Sequence, residues 1–88
     1  MISRETLPDW VVDALHALGG TSNIVGVAKF IWTHHEAELR GSGDLFYTWQ
    51  YDIRWAAQKL RDRGRIKPVG DRRSLPWQLS DAELRRSR

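Results

Sequence analysis

The chain has 88 residues and no cysteine, room for one small domain with a modest core and none for disulfides or thiolate metal sites. Its longest apolar runs, WVV, FIW and LFY, are too short to span a bilayer. Three basic residues stand against six acidic ones over positions 1–46, and eleven against five over 47–88. That shift from −3 to +6 points one basic face at a polyanion.

The N-terminus, MISRETLPDW, lacks the basic and apolar regions of a signal peptide, so a cytoplasmic location is expected. Thr6 is the expected N-cap of a first helix, with Asp9 three residues on and Pro8 in the first turn. Leu7, Trp10, Val11, Ala14, Leu15 and Leu18 recur at helical spacing, and Gly19-Gly20 ends the run. Thr21-Ser22 has length for a single strand pairing. Asn23 caps a second helix whose buried face is Ile24, Val27, Ala28 and Ile31, and Gly26 within it marks a close approach of another helix or of a phosphate backbone. His34, His35, Glu36 and Glu38 resemble metal ligands in composition. Adjacent helical residues diverge by about 100°, however, so only His34 and Glu38 would meet and no metal is expected.

Gly41-Ser42-Gly43 breaks the chain before a third helix that runs to Arg63, with Asp44 or Thr48 as its cap and Gly64 as its stop. Helical spacing puts Trp49, Ile53, Ala56 and Leu60 on a core stripe. Tyr51, Arg54, Trp55, Gln58 and Arg61 fall on the other side, an outward face that mixes aromatics with arginine and glutamine. Arg65-Ile66-Lys67-Pro68-Val69 and Leu75-Pro76-Trp77-Gln78-Leu79 read as the two strands of a hairpin. Its tip, Gly70-Asp71-Arg72-Arg73-Ser74, carries two adjacent arginines. Ser80-Asp81-Ala82-Glu83 has capping-box spacing and starts a frayed turn, ahead of a basic tail. The expected organisation is a domain over 1–80 and a tail over 81–88.

Three helices, a short first strand and a C-terminal two-stranded hairpin give an α+β fold of the winged-helix kind. The segments WVVDALHALGG, YTWQYDIRWAAQKLRDRGRIKPV and SLPWQLS, in that order, resemble the winged-helix domains attached to restriction endonucleases. These are the N-terminal domain of the Mrr type and the C-terminal domain of the enzymes that cut adenine-methylated GATC. The resemblance implies binding of double-stranded DNA and, in some members, sensing of N6-methyladenine through an aromatic pocket near the start of the recognition helix. Its aromatics here would be Trp49, Tyr51 and Trp55. A nuclease or other protein partner is also implied.

On that reading the third helix enters the major groove. Thr48, Gln50, Tyr51, Arg54 and Gln58 are the candidates for base edges, with Gln50 suited to adenine and Arg54 to guanine. Arg61, Arg65, Lys67, Arg72 and Arg73 are the candidates for phosphates. The competing reading is a protein-interaction winged helix acting as an adaptor, because exposed aromatics beside arginine also build interface hot spots. No enzyme is expected and no cofactor, since the chain has no cysteine nucleophile, no Gly-rich phosphate loop and no arguable His–carboxylate pair.

Overall fold

The computed structural model describes residues 2–68 and 76–86. The chain runs through a 3₁₀ turn (Arg4–Thr6), α1 (Leu7–Ala17), β1 (Thr21–Ser22), α2 (Ile24–Arg40), α3 (Leu45–Asp62), β2 (Trp77–Gln78) and α4 (Asp81–Arg86). It is an α+β domain in which α1, α2 and α3 enclose one core. Among the described residues no helix is long and apolar enough to cross a membrane.

Each helix is set by local chemistry. The chain enters helical geometry one turn earlier than the Thr6 cap predicts. Thr6 is itself helical and its side chain caps nothing; its hydroxyl oxygen instead accepts weakly from the Ser3 amide at 3.4 Å. Helix α1 buries Leu7, Val11, Ala14 and Leu15 completely, with Trp10 and Val12 close behind. Gly19 and Gly20, at φ +90° and +95°, let the Gly20 amide reach the Leu15 carbonyl (2.7 Å) and the Gly19 amide that of His16. This double bond pattern is a Schellman stop, open to residues that tolerate positive φ.

Asn23 caps α2 as its sequence predicts, its side chain accepting from the Gly26 amide at 2.8 Å. The same cap explains Gly26. A Cβ there would overlap the Ser22 Oγ, so the close approach comes from the neighbouring turn and not from a second helix. The obstruction is one rotatable hydroxyl. Gly26→Ala is therefore expected to be nearly neutral, and the double variant Ser22→Ala/Gly26→Ala to be stabilised by about 0.5–1 kcal/mol through helix propensity. Urea denaturation of both variants checks this; a destabilised double variant would refute it. Near its end α2 kinks at His35 (φ −131°, ψ +20°). The kink redirects the His35 imidazole onto Trp10, stacked at 3.8 Å. It also brings His35 Nδ1 within 2.8 Å of Glu38. The expected His34–Glu38 pairing is thus replaced by His35–Glu38. His34 stacks on Phe30 instead. Among the described residues no three metal-binding side chains converge.

Helix α3 starts after Asp44, which stands at the cap position without a side-chain bond. Trp49, Ile53, Ala56 and Leu60 are all buried, as the spacing requires, and Leu45 and Ala57 join them. Gly64 at φ +74° ends it, the Arg65 amide reaching back to the Leu60 carbonyl at 2.8 Å.

β2 has a neighbour on each side, β1 and the segment expected as its hairpin partner. β2 forms its ladder with β1, antiparallel, in the register Thr21↔Gln78 and Ser22↔Trp77. Among the described residues, the segment 65–68 meets β2's continuation through an Ile66↔Leu79 bridge, with Lys67 N–H on the Gln78 carbonyl and Ser80 N–H on that of Arg65. Ile66 and Leu79 are buried, closing the core from the sheet side. Trp77–Leu79 thereby has a hydrogen-bonded neighbour along each edge, which a two-residue pairing alone would not supply. The hairpin tip, with Arg72 and Arg73, lies outside the described residues.

The stretch expected as a basic tail contains α4. The Ser80 hydroxyl accepts from the Glu83 amide at 3.2 Å, the forward half of the predicted capping box. Glu83 does not reach back; its carboxylate is buried against Arg65.

Candidate functional site

The outward side of α3 carries two rows at i, i+4, i+8 spacing. Gln50, Arg54 and Gln58 form one, with Gln50 and Arg54 bordering α2; Tyr47, Tyr51, Trp55 and Lys59 form the other, which meets the 3₁₀ turn at Trp55. Tyr47 is 83% and Tyr51 75% exposed, against 5% for Trp49 on the opposite side of the helix. Gln50, Arg54 and Gln58 are exposed as well. Gln50, Tyr51 and Arg54 have no hydrogen-bonding or ionic partner among the described residues, so their polar ends are free for a ligand. Gln58 donates to Asp62 at 3.0 Å. Thr48 spends its proton on Asp52 at 2.7 Å, so it is the weakest of the five expected base readers. Asp52 itself is nearly buried, which the stripe analysis does not foresee.

Two adjoining clefts run between α2 and α3. The larger, about 460 Å³, is lined by Trp32, Phe46 and Trp49 with Val25, Lys29 and Gln50. The other continues past Gln50 to Tyr51 and Arg54. Trp32 and Trp49 lie nearly parallel at 6.0 Å, with Phe46 tilted against Trp32 at 6.4 Å. The Arg40 guanidinium covers Trp32 and Phe46 at 5.1 and 5.8 Å and is itself held by Glu36 at 2.7 Å. The expected aromatic set is not assembled. Trp49 reaches the larger cleft and Tyr51 the smaller, while Trp55 faces the other flank of the helix. Trp32 and Phe46 take the missing places, and the signal for them was the FIW run and Phe46 beside the Gly-Ser-Gly break.

The expected phosphate residues fare unequally. Arg65 is committed: Nε and Nη2 donate to the Glu83 carboxylate at 3.2 and 3.1 Å, with Asp9 at 3.7 Å from Nη1. These hydrogen bonds hold the Glu83 carboxyl below its ordinary range, against the opposing effect of burial. They raise the Arg65 guanidinium above its own. His16 and Arg86 complete the ring around Glu83, each 3.7 Å away. Arg61 is half-buried, its Nε without a hydrogen-bond partner among the described residues, and burial pushes its pKa down. Lys67 remains exposed, loosely paired with Asp81 at 3.7 Å. Of this group Lys67 is the one still presented to solvent among the described residues. No protein-family model, curated protein or solved structure matches the chain.

Proposed function

We propose that this domain is a winged helix that binds double-stranded DNA, with α3 as the recognition helix and a basic wing expected at Gly70–Ser74, which lies outside the described residues. The observation that carries the proposal is the free face of α3. Gln50, Tyr51 and Arg54 are solvent-facing and unpartnered among the described residues, on a helix whose opposite side is locked into the core. A helix of this diameter fits the major groove, where glutamine pairs with adenine and arginine with guanine. The basic excess of residues 47–88 supports the same reading through phosphate attraction. On this view the module acts by binding and not by catalysis. Anisotropy of short labelled duplexes tests it. Binding should weaken steeply as salt rises; affinity that is absent at low salt, or indifferent to salt, would contradict it.

Adenine methylation is the finer proposal. A methyl group projecting toward Gln50 would meet the cleft walled by Trp32, Phe46 and Trp49. Burying one methyl contributes only about 0.8 kcal/mol, so several-fold discrimination requires contact with the rings as well. Paired titrations with methylated and unmethylated duplexes in several adenine contexts test this, and equal affinity in all of them would remove it.

The exposed Tyr47 and Val25, at 83% and 56%, favour a second reading, a protein-docking face on the same side of the domain. A mass shift in light scattering on addition of a candidate partner, with no duplex binding, would support that reading over DNA.

A further inference from the structure

The flank of α3 that faces the 3₁₀ turn carries a cluster that sequence spacing does not reveal. Arg4, some fifty residues away in the chain, lays its guanidinium over the Trp55 indole at 4.5 Å. Lys59, one turn along α3, places its ammonium 5.7 Å from the same ring. Two cations thus share one aromatic platform. Glu5 stands 4.0 Å from Arg4 and offsets part of its charge through one carboxylate oxygen, while the other oxygen accepts the Ser3 hydroxyl at 2.8 Å. Lys59 has no carboxylate partner among the described residues. Each cation is attracted to the ring and keeps N–H donors for an anion.

Its position identifies the anion. Tyr51, Trp55 and Lys59 are successive members of one row, so the platform borders the free face directly. A helix about 10–12 Å across nearly fills a major groove about 12 Å wide, so both of its flanks come up against phosphate rows. We infer that Arg4, Trp55 and Lys59 form a phosphate-binding platform for the DNA strand on the flank of α3 away from α2. The inference rests on the DNA-binding reading above. Arg4 and Lys59 supply the charges, and the indole holds Arg4 in place at little conformational cost. The N-terminal turn then acts as a second clamp, and the binding surface extends beyond α3 and the wing.

The test is the salt dependence of duplex binding by the full chain and by Arg4→Gln, Lys59→Gln and the double variant. Both side chains sit at the surface, so thermal melting of each variant should stay near the parent. The slope of log K against log salt should fall by about 0.9 for each phosphate contact removed. Affinity at a fixed salt should drop by a common factor on unrelated sequences, and Arg4→Lys should restore most of the slope lost in Arg4→Gln. A double variant with the parental slope would overturn the platform while leaving DNA binding intact. A parent chain that binds no duplex would overturn both.

Discussion

Replacing Arg65 with alanine is expected to cost about 3 kcal/mol of stability, and replacing Glu83 with alanine about 2 kcal/mol. The asymmetry follows from burial. The Glu83 side chain is 6% exposed and that of Arg65 26%. Without Arg65, a buried carboxylate is left with His16 and Arg86 at 3.7 Å. Without Glu83, the guanidinium can turn to water and to Asp9. A small domain has total stability on the order of 5–10 kcal/mol, and each kcal/mol moves its melting temperature by about 4–8 °C. Arg65→Ala should therefore melt well below the parent, and below Glu83→Ala. Equal losses, or the reverse order, would show that the pair is not buried in this sense.

The same pair sets an acid response. The folded Glu83 carboxyl is held below its ordinary value of about 4.5 by the Arg65 hydrogen bonds. Its contribution is then complete above that value and is lost as pH falls through the depressed folded pKa. Compared with Glu83→Gln, the parent's advantage should be flat from neutral pH down to about 4.5 and shrink below it. Denaturation at a series of pH values reads this directly.

Arg54→Ala is expected to leave stability within about 0.5 kcal/mol, because the side chain is exposed and makes no ion pair among the described residues. Duplex affinity should nonetheless fall by about 1–3 kcal/mol, roughly 5- to 150-fold, with relaxed preference at one base pair. Arg54→Lys should recover phosphate-like affinity without the preference, since a lysine cannot form the two-pronged contact of a guanidinium. Competition binding against a panel of single-base variants separates the two effects. A uniform loss across all bases would assign Arg54 to the backbone.

Much of this arrangement is legible along the chain. The 100° spacing that puts Trp49, Ile53, Ala56 and Leu60 together also leaves Gln50, Tyr51 and Arg54 outside. Asn23 and the glycine pairs mark helix ends through short-range bonds that the sequence carries locally. Spacing fixes the angle of a side chain about its own helix but not what lies at that angle. Trp55 projects toward a flank, and only the folded chain brings Arg4 to it. Arg65 looks like a phosphate ligand until a carboxylate 18 residues later closes on it. The His35 kink likewise moves an imidazole off its helical position and exchanges one glutamate pairing for another. The strand order follows the same rule: Trp77–Leu79 pairs with the segment before it at Ile66↔Leu79, and only the folded chain brings β1 to its other edge.

Amide NMR of the labelled chain titrated with a short duplex at low salt tests the central claim most directly. Binding through α3 predicts shifts concentrated at Gln50, Tyr51 and Arg54, spreading to Lys59 and Arg4, with the buried stripe through Ile53 and Leu60 little changed. Shifts confined to the acidic surface of α1 and the end of α2, or no shifts at all, would contradict it.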